Sequence, residues 1–517
     1  MLYAQIIIAK RSSTQELTYF VPERIIPYIK VGSLVSVPVR NKILSGVVTA
    51  FKKNVPAQIK SKLKAIEKID KEKVISSLTI KLFEQLSKKY QCSLAQVAHM
   101  ALKGDVYGEN ISGEQFEQIF IQGPLEFRLQ KYQEILKNLN SGLVLFATHE
   151  IAEHFKKLIR NKNITVGTIG ESFKPLQSSA VIIVDQSGSY NERRPYISSL
   201  QIALMRAELE KRRIYIGESI LSVNFIAKLS VTKGKILSNI QESDYLVVDN
   251  QRHSQINESI IEILKSSKEN NHKVLVIAPS ESFGGAIYCL NCKKLQHCQK
   301  CKRPLGAVND GVAICGYCSH QTTLIQCMYC KNTKLIELGF NTKLAQSQIK
   351  KLLGPNKFTF VTEAIFSSVI PKSDVVVLLG FDRYLTSSKY NQTMRLFGYL
   401  VELQAISPKI IIQTKLPDHP YWGNVSALKL KNIFKNELLA RRRYKLPPYG
   451  GYFELIGLGK VEKEAEQIIK IAEDFGCSVS SPKKLKGSKT VLEIFHSNPI
   501  DFDKFLKNIS PAWQIKF

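Results

Sequence analysis

The sequence predicts a multi-domain α/β protein: a small N-terminal β domain, two parallel-sheet lobes with a cysteine-rich insertion in the second, and a C-terminal α+β domain. Three observations predict it. A chain of 517 residues is too long for one hydrophobic core. Through its middle, short continuous apolar runs alternate with amphipathic stretches, the pattern of strands covered on both faces by helices. Eight of the ten cysteines lie between Cys289 and Cys330, in Cys-x2-Cys pairs.

Residues 3–53 alternate apolar and polar positions in short runs, such as Leu34-Val35-Ser36-Val37-Pro38-Val39, separated by Gly, Pro and Asn. This is the grammar of a small β barrel or sandwich. The period then turns helical, with Leu78, Leu82 and Leu86 and later Leu94, Val97 and Ala98 on apolar faces, so a first domain is expected over 1–104. The first lobe is expected over 115–235, with strands near 143–147, 180–185 and 214–217. The second, over 236–420, places strands near 245–249, 274–278, 375–380 and 410–413 and carries the cysteine segment, 286–334, after the second of them. Beyond it, over 421–517, a basic helix runs to Arg441-Arg442-Arg443, and a strand–helix–strand–helix order suits an α+β domain.

Lys+Arg number 73 and Asp+Glu 44, a formal charge of +29 spread along the chain. Such a field favours a polyanionic partner, although a composition rich in Lys, Ile and Asn also produces it. No run of eighteen apolar residues occurs and the N-terminus has no secretory pattern, so a cytoplasmic protein without a membrane span is expected. Clustered cysteines in such a chain point to metal ligation in a reducing compartment, not to disulfides.

The spacing is Cys289-x2-Cys292-x5-Cys298-x2-Cys301-x13-Cys315-x2-Cys318-x8-Cys327-x2-Cys330. Two residues between cysteines let a tight turn set both thiolates on one tetrahedral ion, and two such turns close a four-cysteine site. Eight ligands make two sites. Nested pairing, with Cys298/Cys301 and Cys315/Cys318 inside and Cys289/Cys292 and Cys327/Cys330 outside, is preferred over sequential pairing. Two Zn2+ ions are expected, with iron–sulfur clusters as the rival. Sites closed by four sulfurs leave no position for a substrate water, so their role is structural, contributing on the order of 10–16 kcal/mol of folding free energy per ion.

This order of parts resembles the family of primosomal protein N′, the PriA replication-restart helicase. Local strings carry the resemblance over nearly the full chain: Tyr19-Phe20-Val21-Pro22-Glu23, Val31-Gly32, Val37-Pro38, Leu63-Lys64, Gly217, the cysteine segment, His419-Pro420, and Arg442 to Pro448. The resemblance implies RecA-like lobes. It also implies a winged-helix domain for which no room exists, since Gly104 is followed almost directly by the first lobe. The family is similar to superfamily 2 helicases, which hold phosphate with G-x-x-x-x-G-K-[ST]. Here that stretch reads Gln122-Gly123-Pro124-Leu125-Glu126-Phe127-Arg128-Leu129, with Glu126 unsuited to phosphate. The magnesium motif reads Asp185-Gln186-Ser187-Gly188, the coupling motif Glu218-Ser219-Ile220, and the arginine-finger region Leu400 to Ile406 holds no arginine.

Losing phosphate, magnesium, coupling and finger groups together removes each source of transition-state charge stabilisation, so binding and hydrolysis of ATP with Mg2+ are not expected. The resemblance implies a DNA 3′-end pocket: Tyr19 would stack on a terminal base while Arg40 and Lys64 hold phosphates. Arg441, Arg442 and Arg443 are further phosphate candidates. The expected function is a non-catalytic, nucleoid-associated protein of replication restart and primosome assembly. It would bind forked or branched DNA, with single-stranded DNA-binding protein and the replicative helicase or its loader as partners. The alternatives are an ATP-dependent 3′ to 5′ helicase with a divergent motor and a zinc-dependent RNA- or protein-interaction platform. Metal analysis of purified protein should return two zinc ions per chain and no acid-labile sulfide; iron with stoichiometric sulfide would overturn the zinc assignment.

Overall fold

The computed structural model describes the chain except residues 9–15, 91, 103, 105, 186–195, 233–234, 241–244, 250–254, 280–285, 301–304, 306–307, 310–311, 316–319, 339–340, 386–390, 420–421, 423–426, 460, 481, 486–488, 499, 511 and 517. Its N-terminal sheet is antiparallel, with order β2-β1-β4-β3-β5. The strands are β1 (Leu2–Ile8), β2 (Leu17–Val21), β3 (Ser33–Val39), β4 (Lys42–Lys52) and β5 (Lys68–Val74), with a short α1 (Ala57–Lys60) before the last. Along β3 the two-residue period buries Val35 and Val37 and leaves Leu34 and Ser36 half-buried. Gly32, at φ +92°, lets the chain pass the Ile75 carbonyl, which a Cβ would meet at 1.9 Å.

Two helices close this domain, α2 (Ser77–Tyr90) and α3 (Leu94–Ala101). Ser93 caps α3 and Gln96 reaches back to the cap, a reciprocal capping box. Their apolar faces do not stop at the domain's own sheet. Ile80, Phe83, Leu86, Val97 and Ala98 share one core with Phe173, Ile197 and Ile202 of the next unit.

The first lobe is a six-stranded parallel sheet with order β11-β6-β10-β9-β7-β8. Its elements are β6 (Glu117–Gln122), α4 (Leu125–Leu136), β7 (Gly142–Leu145), α5 (His149–Leu158), β8 (Ile164–Gly167), β9 (Val181–Asp185), α6 (Ser199–Leu209), β10 (Arg213–Glu218), α7 (Val223–Thr232) and β11 (Lys235–Ser238). Ile119, Ile121 and Ile183 face one core, and Phe120, Ile182 and Val184 face the opposite one. This two-sided burial is why these strands read as unbroken apolar runs.

The connection into this lobe is pinned by a buried polar cluster. Glu210 accepts from Arg206 Nε and Arg212 Nε, both at 2.6 Å, and Asn110 donates to it as well. The guanidinium of Arg212 also donates to the carbonyls of Ile111, Leu176, Gln177 and Ala180. All four side chains are at least nine-tenths buried.

The second lobe is a five-stranded parallel sheet, β12-β21-β20-β13-β19. It opens with β12 (Tyr245–Asp249), α8 (Glu258–Glu269) and β13 (Val274–Ile277). The insertion follows as β14 (Ala286–Cys289), β15 (Val308–Asn309), β16 (Val312–Ile314), β17 (Gln321–Thr323) and β18 (Leu335–Leu338), with β14 paired antiparallel to β18 at its base. The lobe resumes with α9 (Thr342–Leu353), β19 (Thr359–Val361), β20 (Val375–Leu379), α10 (Gln392–Gln404) and β21 (Lys409–Thr414), and α11 (Ala427–Arg443) leads out of it.

The C-terminal unit is an antiparallel sheet, β23-β25-β22-β26, with β24 paired to β25. It comprises β22 (Gly451–Leu458), α12 (Glu462–Asp474), β23 (Cys477–Val479), β24 (Lys483–Leu485), β25 (Lys489–His496), α13 (Phe502–Lys507) and β26 (Trp513–Lys516). The expected order omitted β23 and β24, three residues each and too short to carry a two-residue period, and the four-residue β26. Among the described residues no helix is long and apolar enough to cross a membrane. Glu210→Ala should lower the stability of the first lobe by about 3–5 kcal/mol, because it leaves two buried guanidinium groups without their carboxylate. A thermal melt within a degree of the parent's would show that the cluster does not hold the connection.

Candidate functional site

Four cysteines from the two ends of the insertion meet. The Sγ atoms of Cys289, Cys292, Cys327 and Cys330 all lie within 4.8 Å of one another. Cys289 to Cys330 and Cys292 to Cys327 are each 3.6 Å apart. That is far beyond a disulfide bond and close to the edge of about 3.8 Å that a tetrahedron with metal–sulfur bonds of about 2.3 Å requires. The residues therefore fit a tetrahedral metal ion such as zinc.

The same turn is built twice. Lys293 N donates to Cys289 O and Lys331 N to Cys327 O, at 2.9 and 3.0 Å, while Cys289 N and Cys327 N donate to Lys294 O and Asn332 O. Each turn closes on a lysine at positive φ, 55° at Lys293 and 60° at Lys331. Burial opposes ionisation of Cys327, but the N–H groups of Cys330 and Tyr329 and the Gln296 amide outweigh it and bring the thiol down to about 6. Gln296, fully buried, donates to Cys327 Sγ at 3.3 Å and accepts from Met328 N at 2.7 Å. Nothing in its spacing marked it, because its role depends on a turn 31 residues away.

Of the inner set, Cys298 and Cys315 are buried around Leu305, Ala313 and Leu324. Cys315 N donates to His320 O at 2.9 Å, repeating the hydrogen bond of the outer turns. Cys301 and Cys318 lie outside the described residues.

A second site lies between the lobes, where the sequence places the degenerate phosphate stretch. Only Gly123 and Pro124 separate β6 from α4. No loop is left to wrap a phosphate, and a Cβ at Gly123 would stand 2.9 Å from both Asn239 O and a Phe127 ring carbon. The N-terminus of α4 is nonetheless capped by an anion, the side chain of Glu402 from α10, which accepts from Leu125 N at 2.8 Å.

One turn further, Arg128 is fully buried. Its Nε and Nη2 reach Asp185 Oδ2 and Oδ1 at 2.7 and 3.2 Å, and Nη1 reaches Glu402 Oε1 at 2.8 Å and the Gly123 carbonyl. Tyr132 donates to Asp185 Oδ2 at 2.7 Å, and the Ser219 hydroxyl pairs with Glu402. Burial disfavours the Arg128 cation, but Asp185 and Glu402 outweigh it and hold its pKa above the ordinary value. Burial also pushes the Glu218 carboxyl up to about 8, with the Asp185 charge adding to it against the Ser222 N–H, so it stays largely protonated at neutral pH. The seam between the lobes continues in Thr148 Oγ1 donating to Ser367 O at 3.0 Å and in Lys372 against Glu126 at 2.6 Å.

Asp185 is thus the partner of an internal arginine, and the stretch without an arginine supplies Glu402. Arg128 points inward and is taken up by the protein's own carboxylates.

The DNA candidates separate. Arg40, at φ 52° in the turn from β3 to β4, and Lys64 are exposed neighbours, with Lys64 Nζ 3.2 Å from Arg40 O. Tyr19 is only 4% exposed and its hydroxyl donates to Pro38 O, so its expected role as a stacking platform is corrected: the ring belongs to the domain core. Arg441 is likewise corrected. At 1% exposure it pairs with Glu437 at 2.9 Å and donates to the Pro447 carbonyl at 3.0 Å, holding the end of α11 against the chain that follows. Arg442 and Arg443, on the other side of the helix, are exposed.

Two parallel-sheet lobes in contact, with a cysteine insertion in the second, are the parts that the resemblance implies. The profile of the PriA 3′DNA-binding domain (3′BD) matches residues 5–103. Replication restart protein PriA of Rickettsia felis is 19% identical, over 92% of this chain and 90% of that protein, and its counterpart in Rickettsia conorii is 19% identical, over 95% and 94%. That of Haemophilus influenzae is 21% identical over 63% of this chain and 56% of its own length. The chain is thus similar to replication restart protein PriA over nearly its full length, with residues 5–103 matching that family's 3′DNA-binding domain.

Glu402→Ala should destabilise the paired lobes by about 3–5 kcal/mol, leaving Leu125 N and Ser219 without their acceptor and Arg128 with one carboxylate. In a double-mutant cycle with Arg128→Ala the two losses should be strongly non-additive, and additive losses would disprove the coupling.

Proposed function

We propose that this chain binds forked or branched DNA in replication restart without hydrolysing ATP, and serves as a platform for the proteins that load the replicative helicase. The observation that carries the reading is the Arg128–Asp185–Glu402 cluster. A phosphate binding at the start of α4 would have to displace Glu402 from the helix N-terminus and leave the buried Arg128 with one of its two carboxylates. The groups that would fix magnesium and the γ-phosphate are already bound to one another.

The process is taken from the relatives' name, replication restart protein PriA, and the DNA end contact from the 3′DNA-binding domain. Within that domain Arg40 and Lys64 are the phosphate contacts. Arg442 and Arg443 add two at the edge of the second lobe. A charge of +29 makes this binding steeply dependent on salt. Cys289, Cys292, Cys327 and Cys330 would hold one zinc ion and Cys298, Cys301, Cys315 and Cys318 a second. Each ion would supply cross-links to a segment with little apolar core, and no catalysis. Single-stranded DNA-binding protein and the helicase or its loader are the partners this role calls for, at the nucleoid in the cytoplasm. The units that carry it are 1–104, 115–235, 236–420 with the insertion 286–334, and 421–517.

The test is steady-state ATP hydrolysis by zinc-loaded protein with and without forked DNA bearing a free 3′ end, with fork binding followed in the same sample. Expected are fork binding unchanged by nucleotide and hydrolysis at the blank rate. Hydrolysis stimulated by DNA would establish a divergent helicase instead, and failure to bind any DNA would favour an RNA- or protein-interaction platform.

A further inference from the structure

The outer cysteine turns carry more than their sulfurs. Between Cys327 and Cys330, Tyr329 is 49% exposed, and between Cys289 and Cys292, Leu290 is equally so. A site closed by four thiolates needs neither side chain. The Tyr329 ring is held in place: its hydroxyl lies 3.0 Å from His297 Nδ1, its backbone N donates to Cys327 Sγ, and Lys294 Nζ lies 5.3 Å from the ring centroid. A rigid aromatic on a metal-anchored turn costs little conformational entropy when a flat partner lands on it.

The charge around it is one-sided. Lys293, Lys294 and Lys331 are exposed on the same pair of turns, and the backbone reversal repeated after each second cysteine sets Lys293 and Lys331 in corresponding positions. Over residues 286–334 seven Lys and Arg stand against one carboxylate, Asp310. Two tetrathiolate zinc centres would carry a charge of about −4, so cations remain in excess after offsetting the metal sites. An exposed, fixed aromatic ring bordered by cations is the arrangement that stacks on an unpaired base while holding its phosphates. Stacked bases inside a duplex offer no free face to such a ring.

We propose that the outer knuckle pair is a binding surface for single-stranded DNA, with Tyr329 as the base-stacking platform and Lys293, Lys294 and Lys331 as phosphate contacts. The surface deepens the functional reading above and rests on it. It places a single-strand contact on the second lobe, apart from the 3′-end domain.

The test uses full-length, zinc-loaded protein with a labelled oligothymidylate and, separately, a labelled fork, read by fluorescence anisotropy. Tyr329→Ala should weaken single-strand binding by about tenfold, within the range that one lost base stack accounts for. Tyr329→Phe, which keeps the ring and loses the His297 contact, should bind within about twofold of the parent. Lys293→Glu with Lys331→Glu should weaken binding and flatten its salt dependence. Zinc content is measured in every variant. Parent-like binding by zinc-loaded Tyr329→Ala overturns the proposal, as does a loss in Tyr329→Phe as large as in Tyr329→Ala, which would reduce the tyrosine to a strut for His297. If Tyr329→Ala itself loses zinc, the phenylalanine and lysine variants decide between the same outcomes. Parent protein that binds neither fork nor single strand would sink the functional reading itself, whereas fork binding with an indifferent Tyr329 sinks this inference alone.

Discussion

A fully buried guanidinium cannot be left unpaired, and Arg128 imposes that constraint on the two lobes. Its carboxylates come from 57 and 274 residues away, one from its own lobe and one from the other. Satisfying it shapes its surroundings. The β6–α4 connection shrinks to two residues, Gly217 stays without a Cβ so that the Tyr132 hydroxyl can pass, and Glu402 turns toward the start of α4. A buried ion cluster of this kind adds little or no net stability over an apolar replacement, yet removing any one member is costly. The lobes are thereby tied together by the protein's own charges at the start of α4.

The cysteine insertion is held by different physics. Its strands are two to four residues long and its apolar cluster is small, so sequence-local hydrophobic burial is insufficient to specify it. Cysteines from both ends of the segment are brought together where a metal ion could supply the missing constraint, and β14 with β18 joins those ends at the base. Such an anchor leaves surface side chains free of any packing duty, which is why large apolar residues can stand exposed on its turns.

Basic residues serve two purposes in this chain that their sequence does not distinguish. Arg128, Arg206, Arg212 and Arg441 are buried and act as internal clamps, each saturated by carboxylates or carbonyls. Arg40, Lys64, Arg442 and Arg443 are exposed and contribute to the outward field. Arginine suits the first role because its planar fork can serve several acceptors at once and does not lose its charge when buried. The triplet Arg441-Arg442-Arg443 contains both kinds, divided by the 100° step between successive helix positions.

The sequence by itself determined the classes of element and the cysteines that could hold a metal ion at the outer end of the insertion. Unbroken apolar runs such as Val181–Asp185 become central parallel strands because both faces are covered. The nested pairing of Cys289 and Cys292 with Cys327 and Cys330 was legible because short-range spacing constrains thiolate geometry. The three-residue strands β23 and β24 of the C-terminal sheet were not, since three residues carry no period. What only the tertiary structure decided was the direction in which polar side chains point. Tyr19 reads as an aromatic near two cations but turns into the core, and Glu402 reads as part of an apolar helix but caps a helix in the other lobe. These outcomes depend on partners far away in sequence, and local pattern is silent about them.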